Sequence, residues 1–369
     1  MSKTKLFVIG GFLGAGKTTS ILNIAKYLVG LGKKIAIVTN DQGSDLVDTN
    51  FLQKSGLPVL EVTGGCFCCN FEEFTSKVNQ LSEELMPDLI IAEPVGSCTD
   101  LIATIFKPIQ LNYTKQFSLG PLSIVVDPKR IKRLMTESSQ NPYSQISFTS
   151  EINYLFRKQL EEADIIVLNK VDMLDPLEID SIKLFLKSQF KGIEVITASA
   201  RQDIGIENWV NKMDTFVPTP KDSLSINYET YAMAEESLGW LNSSIILCSS
   251  QPHNANEFIS KFMKRIKDKL QKTHIEIAHL KIYEVSENDW AKASLTSVLD
   301  EIDFNKTMEK SITKANLIIN ARVNTSPQNL EPLIVNTLKE ICSEGDILIE
   351  HMDTQCFKPG IPTPTHRYK

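Results

Sequence analysis

The sequence predicts an α/β fold, a mostly parallel sheet with helices on both faces, followed by a smaller α+β unit. Three observations carry that expectation. Short β-branched apolar runs alternate with helix-length stretches through the N-terminal half. A glycine-rich segment, Gly11-Phe-Leu-Gly-Ala-Gly16-Lys17-Thr18, lies between the first run and the first helix. A proline-punctuated break at 217–222 separates this pattern from a second one.

In order, residues 6–9 read as a buried strand, 17–31 as a helix, 34–39 as a second strand and 88–92 as another. Strand 123–127, helix 151–161, strand 164–168, helix 176–190 and strand 194–197 continue the alternation, which makes the sheet parallel and covered on both faces. Beyond the break come strand 242–249, helix 256–270, strand 275–285, strand 316–323, helix 328–343 and strand 346–351. This is the split βαβ, ferredoxin-like order. The expected units are residues 1–216, a linker at 217–222, a second domain at 223–352 and a proline-containing tail at 353–369, either an extended strap or a loose end. Helix 256–270 places Phe258, Phe262, Ile266 and Leu270 on one stripe and Lys261, Lys264, Arg265 and Lys267 mostly on the other, which reads as a solvated face. Trp209, Trp240 and Trp290 read as packing residues.

At 369 residues, with 42% hydrophobic and 23% charged, the chain has a soluble globular composition with ample length for a core. A net charge of −6 without a polybasic block argues against nucleic acid or an acidic membrane as partner. The apolar run at 6–10 is too short for a signal sequence, and none reaches the ~18 residues of a membrane span. Seven cysteines, three of them crowded into four positions, suggest thiols kept for metal in a reducing cytoplasm.

The glycine-rich segment fits the P-loop pattern. Backbone N–H groups of Gly11, Gly14, Ala15 and Gly16 can wrap phosphates, Lys17 reaches the β/γ oxygens, and Thr18 (followed by Thr19) offers a hydroxyl to Mg²⁺. Asn169-Lys170-Val-Asp172 follows a strand at the edge where doubly wound sheets bind ligands, and it resembles the base-reading motif of GTPases. A carboxylate at Asp172 pairs with the guanine edge, Lys170 packs its stem on the ring, and Ser199-Ala200 supplies a further base contact. Glu93 ends a strand three residues before Gly96, as an acidic Mg²⁺ relay and a γ-phosphate-sensing glycine would. Asp41 and Asp48 fall on the first switch segment, either as functional carboxylates or as solvated loop residues.

Gly64-Gly65-Cys66-Phe67-Cys68-Cys69 is a soft-metal sequence. In an extended chain Cys66 and Cys68 project to one side, and a local bend brings Cys69 to them. Three thiolates suit Zn²⁺ and leave a fourth tetrahedral position open. Cys98, five residues past Glu93, is either a conditional fourth thiolate or a buried small hydrophobe.

Together these residues resemble the CobW family of the CobW/HypB/UreG-type P-loop GTPases. The glycine loop, Cys66-Phe-Cys68-Cys69, Glu93 with Gly96, and Asn169 to Asp172 occur in the family's order. The resemblance implies slow Mg²⁺-dependent hydrolysis of GTP to GDP, coupled to binding of Zn²⁺, Co²⁺ or a similar ion. It also implies delivery to a client metalloprotein or a corrinoid-related protein of a cobalamin pathway, with a homodimer as a further arrangement. The five scattered histidines and Pro94-Val95 after Glu93 depart from the pattern. Two alternatives stand beside it: a thiol redox switch, and a P-loop kinase or ligase acting on a small molecule.

Overall fold

The computed structural model describes residues 3–40, 47–53, 55–137, 148–217, 221–287 and 289–369. Asp41 and the prolines of the expected linker, Pro218 and Pro220, lie outside the described residues. The first unit contains β1 (Thr4–Gly10), α1 (Lys17–Gly30), β2 (Ile35–Asn40), α2 (Val47–Gln53), β3 (Val59–Val62), α3 (Phe71–Leu85), β4 (Leu89–Glu93), α4 (Lys107–Asn112) and β5 (Phe117–Val126). It continues through α5 (Pro128–Glu137), α6 (Ser150–Glu162), β6 (Ile165–Leu168), α7 (Pro176–Gln189), β7 (Glu194–Thr197) and α8 (Ile206–Thr215). Its strands form one parallel sheet in the order β3-β2-β4-β1-β5-β6-β7.

Alternation along β1 explains why helices cover both faces. Leu6 and Val8 enter one core with α3 and α6, while Phe7 and Ile9 enter the other with α1 and α8. Parallel strands cannot be joined by tight turns, so every return passes through a crossover. The strand ends at Gly10, Asn40, Glu93, Val126, Leu168 and Thr197 therefore share one edge of the sheet.

A helix absent from the sequence reading, α9 (Tyr228–Glu236), follows. Its Tyr231 and Ala234, with Leu238, pack into the core of the first sheet, although the sequence reading put 223–352 with the second unit. The second unit consists of β8 (Gly239–His253), α10 (Ala255–Lys272), β9 (Ile277–Val285), β10 (Trp290–Leu295), β11 (Asp303–Lys306), β12 (Ile312–Val323), α11 (Pro327–Glu344) and β13 (Ile347–Phe357). Its antiparallel order is β11-β10-β9-β12-β8-β13. The four strands from β13 to β9 are the expected ferredoxin-like sheet, and β10 with β11 extends its edge. The basic face of α10 is not simply solvated: Lys261 and Arg265 pair with Glu344, and Lys269 with Glu340, on α11.

Candidate functional site

The glycine loop leaves β1 and enters α1 through left-handed backbone at Gly14 (φ 79°) and Gly16 (φ 95°). A Cβ at Gly16 would lie 2.4 Å from Asn169 Nδ2, so that position admits only glycine. Lys17 and Thr18 open α1, nearly buried. Thr18 Oγ1 donates to Glu93 Oε1 at 3.0 Å, and Lys17 Nζ lies 3.9 Å from the same oxygen. Glu93 Oε2 is buried with no hydrogen-bond partner among the described residues. Burial pushes the Glu93 carboxyl up to about 7 against the pull of Lys17, and burial lowers the Lys17 ammonium. Gly96 backs directly onto the loop, since a Cβ there would lie 3.0 Å from Leu13 N.

The Asn169 segment braces this loop from the side. Asn169 Nδ2 donates to Ala15 O at 2.9 Å, and Asn169 Oδ1 accepts from Ala200 N at 3.0 Å. Lys170, in left-handed conformation (φ 59°), donates to Gly14 O at 2.9 Å and pairs with Asp127 at 2.6 Å. Asp172 Oδ1 accepts from Ser199 Oγ at 2.6 Å. Thr19, Asp172 and Ala200 line one cleft with Lys17, Thr18 and Glu93. The structure thus gathers the P-loop, strand-end and Asn169-motif residues at one edge. Asp127 was missed as a site residue because its only sequence signal was the end of an apolar run.

Asp48 is not a solvated loop residue. It forms ion pairs with Lys281 on β9 and Lys292 on β10, so the second unit reaches the same cleft. Trp240 lines it too, and Arg322 stacks on the Trp240 ring at 4.1 Å.

The thiol segment is a turn rather than extended chain. Cys69 N and Asn70 N both donate to Cys66 O, at 3.0 and 2.9 Å, which folds the three side chains together. Sγ atoms are separated by 2.8 Å (Cys66–Cys68), 3.2 Å (Cys66–Cys69) and 3.9 Å (Cys68–Cys69). They form the one metal-ligating group found among the described residues. Hydrogen bonds from Cys68, Cys69 and Cys98 hold Cys66 well below the ordinary thiol value. The same contacts push Cys68 and Cys98 well above it and Cys69 up to about 11. Cys98, on the loop leaving β4, is buried in the same core as Cys66 and Cys68.

The tail is a strap across the cluster. Thr363 N donates to Cys69 Sγ at 3.3 Å, Thr365 N to Cys68 O at 2.8 Å, and Thr365 Oγ1 to Cys69 O at 3.0 Å. Arg367 fixes the end on Asp100 at 2.7 Å. Polar threonines among prolines gave no periodic signal for this docking.

The family model for the CobW/HypB/UreG nucleotide-binding domain matches residues 5–196. The zinc chaperone YeiR of Escherichia coli is 32% identical over 48% of this chain and 48% of its own. The zinc chaperone CobW of Sinorhizobium sp is 31% identical over 48% and 53%. The zinc-regulated GTPase metalloprotein activator 1 of Dictyostelium discoideum is 25% identical over 65% and 52%. The chain thus spans about half the length of the curated relatives it matches. Among solved structures, the Zn(II)-bound YjiA GTPase from E. coli is 14% identical, with 91% of this chain and 99% of that chain covered, at a TM-score of 0.39. At that score the likeness carries no argument about the site.

Proposed function

The chain belongs to the CobW/HypB/UreG family, and on that premise we propose that it is a GTPase that loads a divalent transition metal and passes it to a client. One observation carries the reading: Val95 and Cys98, on the loop leaving Glu93, are buried in the same core as Cys66 and Cys68, so the phosphate-sensing segment and the thiol cluster are packed together. A γ-phosphate that draws on Gly96 moves residues packed in the same core as the metal ligands.

The residues fit the chemistry. Lys17 neutralises charge on the transferring phosphoryl group, and backbone N–H groups of the glycine loop orient it. Thr18 Oγ1 and the partnerless Oε2 of Glu93 would hold Mg²⁺, directly or through water, and the bound ion supplies Lewis acidity at the phosphate oxygens. Asp172 selects guanine, and the bond from Ser199 fixes its carboxylate. Cys66, Cys68 and Cys69 take Zn²⁺ or Co²⁺ as cargo. Hydrolysis is slow, because neither a glutamine nor an arginine finger stands in the motif positions.

In this reading residues 1–216, with α9 packed on them, form the nucleotide unit, and the sheet unit from β8 to β13 faces a client metalloprotein or corrinoid-related protein in the cytoplasm. No described helix is long and apolar enough to cross a membrane. The test is metal analysis of anaerobically purified protein with GTP and with GDP. About one Zn²⁺ per chain is expected, with affinity lowered at least a hundredfold in Cys66→Ser/Cys68→Ser and differing between nucleotides. Equal zinc content in wild type and variant would sink the assignment. The depressed Cys66 thiolate beside two thiols also favours a redox switch, which the same protein would reveal by turnover that follows oxidant and ignores metal.

A further inference from the structure

The second unit turns two different faces to its surroundings. Along β9 and β12, Leu280, Ile282, Leu317, Ile319 and Ala321 point into the core under α10 and α11. The alternate residues, Lys281, Asn320 and Arg322, with Lys292 on β10, therefore project from the opposite face. Register places Lys281 directly beside Asn320 on one side and Ser294 on the other.

That polar face does not meet solvent. It closes over the glycine loop: a Cβ on Gly14 would lie 2.4 Å from Thr296 Cγ2 and 3.7 Å from Ala278 O, so the second unit's backbone runs against the loop itself. The Lys292 side chain is 4% exposed and that of Lys281 17%. Both line the cleft that holds Lys17, Thr18 and Glu93, and the charge of Lys281 acts on Lys17 and on Glu93. Six cationic side chains and four carboxylates line this cleft, an imbalance suited to an anionic ligand. Burying two ammonium groups is costly, and a sheet without a phosphate to meet would gain more from apolar residues at these positions.

Resting on the GTPase reading, we propose that Lys281 and Lys292 are phosphate-binding residues contributed by the second unit to the γ-phosphoryl end of the nucleotide, with Asp48 as their exchangeable counter-ion. The three belong together because one carboxylate bridges both ammonium groups. A terminal phosphoryl group is a stronger, more highly charged acceptor than a carboxylate, so it takes the lysines from Asp48. Asp48 is carried on α2, whose Val47 N also donates to Asn320 Oδ1 at 2.9 Å. The exchange thus frees one of the ties between α2 and the second unit. Hydrolysis and phosphate release return the lysines to Asp48. A triphosphate is in this way distinguished from a diphosphate by residues far from the glycine loop in sequence.

The test measures binding of GDP and of a non-hydrolysable GTP analogue to the full chain, for wild type, Lys281→Met, Lys292→Met and Asp48→Asn. Each lysine variant is expected to lose at least about tenfold in analogue affinity while GDP changes less than about threefold. Asp48→Asn, which removes the competing anion, is expected to raise the analogue-to-GDP preference. A merely structural ion pair predicts the reverse pattern, with all three variants destabilised in thermal unfolding and the nucleotide ratio unchanged, and that result overturns the proposal. If Lys292→Met does not fold, Lys281→Met and Asp48→Asn still decide it by their opposite signs. A wild type that binds neither guanine nucleotide overturns the GTPase reading and this proposal with it. Normal wild-type binding with an unaltered ratio in every folded variant overturns the proposal alone.

Discussion

Asp172 accepts from Ser199 Oγ at 2.6 Å on the wall of the cleft, which fixes its carboxylate in the orientation the proposed guanine contact requires. Asp172→Ala should therefore abolish a preference for GTP over ATP worth up to ~10⁴-fold, read by competition binding. Wild-type affinities within a few-fold of each other would show that this residue does not read the base. A second prediction concerns Glu162, buried beneath Thr99 Oγ1 (3.0 Å) and Ile102 N (3.3 Å), whose carboxyl burial pushes from 4.5 up to about 8. Below about pH 4.5 it is neutral folded and unfolded, and its contribution to stability is fully present. Between 4.5 and about 8 the unfolded chain releases a proton that the folded chain keeps, so stability falls by up to about 1.4 kcal/mol per pH unit. Glu162→Gln should flatten urea-unfolding stability between pH 6 and 8, and an unchanged slope would assign the dependence elsewhere. At this scale the placing together of Lys17 with Thr18, and of Cys66 with Cys68 and Cys69, was legible because each group lies in one contiguous motif. Asp127 and Glu162 were not, because their partners, Lys170 and Thr99, lie 43 and 63 positions away.

Among elements, the strap at the end of the chain makes the most specific prediction. Its bonds to Cys68 O, Cys69 O and Cys69 Sγ add to those that already hold the turn, two backbone bonds to Cys66 O and the Asn40 amide on Phe67 N and Gly65 O. Deleting residues 363–369 should speed hydrogen exchange at the amides of Cys69 and Asn70 on the order of tenfold, and unchanged protection would make the strap a passive neighbour. The parallel sheet was legible from its short β-branched runs. β10 and β11 were not: Trp290-Ala-Lys-Ala-Ser-Leu295 contains residues that rarely form strands, and it became one by pairing with β9 on one side and β11 on the other. The thiol turn escaped the extended reading because two backbone bonds to one carbonyl, invisible in spacing, bend it.

For the whole molecule, the two units are joined by partly buried ion pairs as well as by chain. Arg133 on α5 meets Glu276 at 3.1 Å and Ser297 Oγ at 2.7 Å, and Lys129 meets Asp300 at 2.9 Å. The Glu276 side chain is wholly buried but keeps hydrogen bonds from Ile277 N, Val298 N and Ser297 Oγ, so Arg133→Met should cost on the order of 1.5 kcal/mol in chemical denaturation. A larger radius of gyration by X-ray scattering should accompany that loss, and wild-type stability would show that this pair does not clamp the units. None of this joint cleft could be read from sequence, since it depends on how one sheet lies on the other.

The second unit is attached twice, and both attachments pass through one place. The chain enters β8 at Trp240 and leaves β13 at Phe357, residues directly opposite each other in the ladder with rings 6.2 Å apart, both packed on the first unit's core. Two tethers side by side act as a single pin, so a second unit released from its ion pairs with Lys129, Arg133 and Asp48 would swing about one axis. From β8 to β10 is three strand spacings, a lever arm of about 14 Å, so a rotation of ~10° displaces Lys292 by about 2.5 Å and Trp240 hardly at all. The ion pairs with Asp48 lie two and three strands out along that lever, where a small angular change is converted into ångströms of travel.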